Sequence, residues 1–194
     1  MTHLNLHVPY VNAELRKDLG ARAERLNAAD VAILCLPDDA ARESVSLIEN
    51  ATTRVIDASS AHRTAPDWDY GFPEMTPEQA DRIAASRRVS NPGCYPQGVI
   101  ACVRPLIEAG LLPADFPVTV NAISGYSGGG RQLIETYEAD GAQNPAFLPY
   151  ALGFRHKHLP EMTRYSGVSS TPIFVPAVGN YAQGMVTMVP LRLE

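Results

Sequence analysis

Asp30-Val31-Ala32-Ile33-Leu34-Cys35-Leu36-Pro37 is an unbroken apolar run opened by an aspartate and closed by a proline. With no polar position to mark a wet face, residues 31–36 read as a strand buried on both sides, the kind found in parallel sheets. Pro37 stops it, Asp38 or Asp39 is placed to cap a helix, and residues 40–48 carry helical spacing with Val45 and Ile48 apolar. Arg54-Val55-Ile56-Asp57 is a second short strand, running into the polar loop Ala58-Ser59-Ser60-Ala61-His62-Arg63. Strand, helix and strand at this pitch make a βαβ unit. Ligands of such sheets lie beyond the C-terminal ends of the strands, which here are Leu36-Pro37 and Ser59-Ser60.

From Asn91 onward the pattern changes. A helix is expected from about Gln97 to Ala109, broken or kinked at Pro105, whose ring nitrogen has no proton for the helical ladder. Val118-Thr119-Val120-Asn121-Ala122-Ile123 alternates with period two, as a strand with one wet face does. Gly128-Gly129-Gly130 then opens a helical segment reaching about Tyr137, and residues 173–175 and 185–189 are two more strands. The expected architecture is α/β: a parallel-sheet, nucleotide-binding type of domain over residues 1–92 and an α+β catalytic and substrate domain over 93–194. No internal repeat or low-complexity tract interrupts it.

Bulk properties narrow the functional classes. The chain has 194 residues, 45% hydrophobic and 19% charged, as an ordinary globular protein does. A net charge of -5 argues against a nucleic-acid binder, which needs clustered Lys and Arg against phosphates. No apolar run approaches the ~18 residues that span a bilayer. Residues 1–10 lack a basic stretch leading into an apolar one, so no secretory signal is read. Three cysteines without CxxC spacing fit free thiols in a reducing compartment, and the expected location is the cytoplasm.

The chemistry centres on Ser90-Asn91-Pro92-Gly93-Cys94-Tyr95-Pro96-Gln97-Gly98. A cysteine after a Pro-Gly turn and at a helix mouth meets unpaired backbone N–H groups and the positive end of the helix dipole, where an anionic sulfur is welcome. That placement makes Cys94 the candidate nucleophile, with Cys35 in a buried strand and Cys102 on an apolar helix face expected to be inert. The second cluster is Phe154-Arg155-His156-Lys157-His158-Leu159-Pro160-Glu161. Two histidines at i and i+2 lack a companion cluster at ligand spacing, so no metal site is read; a cysteine elsewhere makes a Cys–His acyl-transfer pair the sharper reading. Glu161 either orients an imidazole or recognises substrate, or is a solvated helix-start residue. In Ser124-Gly125-Tyr126-Ser127-Gly128-Gly129-Gly130-Arg131, backbone amides can approach an anion and Arg131 adds a planar cation; Arg63 is a second candidate anion ligand.

Together these motifs, with Tyr70-Gly71-Phe72-Pro73-Glu74 and Gly179-Asn180-Tyr181-Ala182-Gln183-Gly184-Met185, resemble the N-acetyl-gamma-glutamyl-phosphate reductase family of arginine biosynthesis, in particular its shorter type. The resemblance covers residues 26–193 and implies a Rossmann-like domain, a homo-oligomer, NADPH as cofactor and a small acyl phosphate as substrate. It implies that Cys94 displaces phosphate to form a thioester, that this is reduced to the aldehyde, and that His156 or His158 is the acid–base. Arg63, Ser124, Arg131 and Glu161 are then substrate-binding, and Leu36, Pro37, Ser59, Ser60, Asn91, Gly128 and Asn180 cofactor-binding.

The chain departs from that pattern in three places. Residues 1–20 hold no glycine-rich turn for a pyrophosphate, the sequence stops after the strand near Met185, and Gln97 stands where the family has threonine. The Rossmann-like domain is therefore expected to be incomplete, with weak NADPH binding and an unpaired strand edge that drives association. The alternative is a catalytically impaired remnant that acts only as a folded or oligomerising module.

Overall fold

A computed structural model describes residues 14–139, 141 and 143–192. The reading of residues 1–20 as lacking a glycine-rich turn falls largely outside them. The chain divides into two compact units: one holds the described residues up to Gly71 with Glu78–Asn91, the other holds Phe72–Pro77 with the chain from Pro92 onward.

The first unit is built on an all-parallel sheet. Its strands are β1 (Val31–Leu34), β2 (Arg54–Asp57), β3 (Asp69–Tyr70) and β4 (Arg88–Ser90), in the order β1-β2-β4-β3. Helix α1 (Leu19–Ala28) precedes β1, while α2 (Asp38–Ser46) lies between β1 and β2 and α3 (Gln79–Ala85) between β3 and β4. Parallel neighbours require a crossover, and α2 supplies the one between β1 and β2. The core is Leu34, Val45, Val55 and Trp68.

Burial of β1 differs from the two-sided expectation. Ala32 and Leu34 are buried, whereas Val31 and Ile33 are exposed, Ile33 to 63%. Ile56 on β2 is exposed in the same alternating pattern. The pleat sends successive side chains to opposite faces, and among the described residues only one face of β1 and β2 is covered. An unbroken apolar run therefore does not report two-sided burial here. Neither aspartate caps α2 either: its N-cap is Pro37, and Asp38 instead accepts from the Ser60 backbone N–H and hydroxyl.

The second unit carries a mixed sheet in the order β6-β7-β5-β8. β5 (Thr119–Gly125) runs parallel to β7 (Ile173–Gly179) and antiparallel to β8 (Met185–Met188), while β6 (Phe147–Pro149) is antiparallel to β7. Helices α4 (Cys94–Glu108) and α6 (Leu159–Ser166) pack together, and α5 (Arg131–Glu138) follows the glycine-rich loop. The core joins Val99 and Val103 of α4, Val120 and Ala122 of β5, Met162 of α6 and Phe174 of β7. Pro105 does not break α4, which continues to Glu108, and the N–H of Ala109 still reaches the Pro105 carbonyl at 3.0 Å. Its ring lies far enough along the helix that only the missing donor of one turn is lost. α6 ends on Gly167 at φ +84, the left-handed position that a Cβ disfavours.

Candidate active site

Cys94 is the first residue of α4, with Gly93 as its N-cap. No side chain caps this end and no acidic residue sits in its own first turn, so the positive end of the helix lies at the cysteine. The turn before it is fixed from another element. Glu161, in the first turn of α6 and 1% exposed, accepts the Gly93 N–H at 2.9 Å. A solvated helix-start glutamate is thereby excluded; Glu161 holds the backbone on which Cys94 is mounted.

Exposure alone does not distinguish Cys94. Cys35, Cys94 and Cys102 are all exposed, which corrects the expectation that Cys35 and Cys102 are buried. Cys35 lies just past the end of β1, and Cys102 occupies a solvent position of α4 between the buried Ile100 and Val103.

Both imidazoles pack on the residue after the cysteine. The buried Tyr95 ring lies edge-on to His156 at 6.4 Å and to His158 at 5.9 Å between centroids. The two histidines are 4.5 Å apart and differ in environment. His158 is the N-cap of α6 and 5% exposed, whereas His156 is only partly buried. The His158 backbone N–H donates to His156 Nδ1 at 3.2 Å, so the neutral His156 ring carries its proton on Nε2. Burial, and secondarily the Lys157 charge, push the His156 pKa below the usual 6.5, which keeps that neutral form. The loop leading to it has non-glycine residues at positive φ, Ala151 at 51 and Phe154 at 54, a strained turn of the sort that accumulates at functional sites.

Ser124, near the end of β5, accepts the Tyr95 hydroxyl at 2.8 Å, which brings it to the same cluster. Tyr150 also belongs to it: its ring is 5.8 Å from His156, and burial first, then its neighbours Tyr95 and Cys94, push its phenol well above the usual value. Nothing in the sequence pointed to Tyr150, because a tyrosine beyond a short strand carries no motif. Arg131 takes no part: it is 92% exposed and pairs with Glu135 one turn on. Gly128 lies in a 3₁₀ turn over Tyr126–Gly129, and Asn180 follows β7 with its N–H on the Ala146 carbonyl.

The remaining candidates belong to the first unit. Arg63 is buried, with Nε donating to the Asn91 carbonyl at 3.0 Å and an Nη2 proton to the Ala58 carbonyl at 3.2 Å. It thus braces the ends of β2 and β4, and Asn91 is tied there by its own N–H to Asp57 O. Ser59 donates to Asp57 Oδ2 at 2.7 Å, and Ser60 to Asp38. Asp57, fully buried, also contacts His62 Nδ1 at 2.6 Å, and that imidazole stacks on Trp68 at 4.1 Å. Leu36 is exposed beyond β1, next to Pro37. Among the described residues no cluster of His, Cys, Asp or Glu is suited to hold a metal, and no helix is long and apolar enough to cross a membrane.

Residues 94–194 match the dimerisation domain of semialdehyde dehydrogenase, and residues 4–83 match the NAD binding domain of the same family. The N-acetyl-gamma-glutamyl-phosphate reductase of Mesorhizobium japonicum is 63% identical over 97% of this chain and 61% of the relative. That of a Chelativorans species is 64% identical over 94% and 59%. The chain thus spans about three fifths of the length of the curated relatives it matches. Aspartate semialdehyde dehydrogenase II of Vibrio cholerae has the same fold at TM-score 0.67, covering 84% of this chain and 56% of that one at 16% identity. The mixed-sheet unit and the parallel-sheet unit each match a different domain of one family, and the chain belongs to the semialdehyde dehydrogenase family, with N-acetyl-gamma-glutamyl-phosphate reductases as its high-identity relatives.

Proposed function

We propose that the chain carries the catalytic centre of an NADPH-dependent reductase that converts N-acetyl-gamma-glutamyl phosphate to the semialdehyde and phosphate. The observation that carries this is the clamp around Cys94: a helix N-terminus holding the thiol, Glu161 fixing the turn before it, and both imidazoles on the ring after it. The Cys94 sulfur attacks the acyl carbon, the bond to the phosphate oxygen breaks, and a thioester remains on the enzyme. His156 stabilises the oxyanion: its Nε2–H, fixed by the Nδ1 contact, hydrogen-bonds to the oxygen that gains charge as the acyl carbon becomes tetrahedral. When the thiohemiacetal alkoxide collapses, its oxygen reforms the carbonyl, the C–S bond breaks, the aldehyde leaves and Cys94 regains its thiolate. His158, buried at the start of α6, positions the pair.

NADPH, when bound, supplies the hydride that takes the acyl group to the aldehyde level. Leu36 and Pro37 offer an apolar surface, and Ser60 with Asp38 a polar pair, a set that fits a neutral nicotinamide–ribose end. The helix starts of this unit fit a diphosphate poorly. Asp18 caps α1, Asp38 and Asp39 open α2, and Asp81 lies in the first turn of α3, so each meets an anion with negative charge. Arg63, Asn91 and Ser59 act here by holding the strand ends, and assembly into a homo-oligomer through the second unit accords with its family match.

The test is NADPH oxidation by the purified chain with N-acetyl-gamma-glutamyl phosphate. The reading expects phosphate-coupled turnover that disappears in Cys94→Ala. Turnover that persists in Cys94→Ala contradicts the covalent route.

A further inference from the structure

Gly93, the residue before the nucleophile, is held at both ends of its main chain. Its N–H goes to the buried Glu161 carboxylate at 2.9 Å. Its carbonyl accepts two protons from one residue, the Gln97 N–H at 3.5 Å and a Gln97 Nε2 proton at 3.4 Å. Residues 94, 95 and 96 come too early in α4 to have an acceptor within the helix, so the Gln97 N–H makes its first main-chain bond. At 3.5 Å that bond is stretched past the usual ~3.0 Å, and the side chain adds a second donor to the same oxygen. Helical side chains lean toward the N-terminus, which is why the long Gln97 carboxamide reaches back one turn to the helix mouth.

Cys94 and Gln97, three residues apart, share the exposed face of α4. That face is set from behind, where a Cβ at Gly98 would lie 3.0 Å from the Cβ of Thr187 on β8. Because the peptide is planar and trans, fixing the Gly93 carbonyl also fixes the Cys94 N–H on its opposite side and the Cα that carries Sγ.

We propose that Gln97 is a positioning residue: through the Gly93 carbonyl, its carboxamide holds the Gly93–Cys94 peptide, and with it the thiol, in the orientation that attacks the acyl carbon. This rests on the reading of Cys94 as the nucleophile that accepts the acyl group. Gln97 touches no reacting atom in this account. Position 97 requires a side-chain donor to the carbonyl four residues back, and the hydroxyl of threonine, which stands there in the family, makes that same kind of bond in helices. Glutamine in place of threonine keeps the bond with a longer side chain.

The experiment uses the full chain and three variants. Gln97→Met keeps the length of the side chain and cannot donate, Gln97→Ala is a second variant without a donor, and Gln97→Thr restores one. Melting temperature is the folding control. Cys94 alkylation by iodoacetamide is timed, and kcat and KM are measured for N-acetyl-gamma-glutamyl phosphate. The proposal expects Gln97→Met and Gln97→Ala to slow alkylation and lower kcat by roughly three- to tenfold, the range of one neutral hydrogen bond, with KM little changed. Gln97→Thr stays near wild type in both. Helix propensity ranks Ala first, Met level with Gln, and Thr below them, so an effect through helix stability alone gives the reverse order. Gln97→Met and Gln97→Ala at wild-type rates, or Gln97→Thr below Gln97→Met, overturns the proposal. Turnover that is equal in all four proteins does the same and leaves the reductase reading standing. Alkylation in the expected order from a wild type without turnover contradicts the reductase reading and supports the role of Gln97.

Discussion

At the residue scale, Cys94 is set apart by what surrounds it. Three cysteines are exposed, yet only Cys94 opens a helix, on a turn whose amide a buried carboxylate fixes. Timed alkylation with peptide mapping is expected to label Cys94 first, in spite of similar exposure at Cys35 and Cys102; equal rates argue against the nucleophile. The two histidines separate by environment. His156→Ala is expected to cut turnover by about 10²–10³-fold with little loss of stability, as removal of an oxyanion hydrogen-bond donor does. His158→Ala, at a buried helix start, is expected to lower stability by about 1–3 kcal/mol. Because the folded His156 pKa lies below the unfolded value near 6.5, the unfolded chain binds the proton more readily. Its contribution to stability is thus full above pH 6.5 and is lost as pH falls below it. Thermal melts from pH 7 to 5 should show a shallower acid-side decline in His156→Gln than in wild type. The candidates Cys94, His156, His158 and Glu161 were legible because helix mouths and paired imidazoles leave a local signature. Tyr150 and the Asp57–His62 pair were not, since they arise from contacts that sequence spacing does not encode.

At the scale of elements, the glycine-rich segment shows what the sequence conveyed and what it did not. Read from composition, Gly128-Gly129-Gly130 drew attention as an anion cradle. The packing places the tightest backbone demand at Gly125, where an added Cβ would lie 2.6 Å from the Ala182 carbonyl oxygen and 2.7 Å from that of Tyr181. Both are main-chain atoms of the segment before β8, so neither can swing aside. At Gly128 the nearest atom is Ser124 Oγ at 3.4 Å, an ordinary contact. Gly125→Ala is therefore expected to destabilise by roughly 1–3 kcal/mol or more, as overpacking does, while Gly128→Ala remains near wild type in thermal melts. A Gly128→Ala variant as unstable as Gly125→Ala contradicts this assignment. The Glu161 tie between α6 and the turn before α4 is a second element-level claim. Glu161→Ala leaves the buried Gly93 N–H unsatisfied and is expected to slow Cys94 alkylation, whereas Glu161→Gln retains an acceptor and much of the rate.

Across the whole molecule, the opening βαβ of the first unit and most elements of the second were readable, because apolar runs, period-two alternation and the Pro-Gly turn are local signals. The covering of a sheet face is not local. Val31, Ile33 and Ile56 read as core from their type, yet they are exposed, since burial depends on what lies across the pleat. Helix starts differ from expectation for a related reason: Asp38 reads as a cap, but the Ser60 loop recruits it. The acidic starts of α1, α2 and α3 lead to an expectation for the cofactor. Calorimetric titration of the chain with NADPH should give weak binding without a sharp stoichiometric break, and tight one-to-one binding contradicts that expectation.

The central claim is that Cys94 becomes acylated. Mixing the chain with N-acetyl-gamma-glutamyl phosphate without NADPH, then measuring released phosphate and the intact and peptide masses, tests it most directly. The account predicts one phosphate per chain and an acyl adduct on the Cys94 peptide, both absent in Cys94→Ala. Phosphate release with an unmodified Cys94, or an undiminished burst from Cys94→Ala, contradicts it.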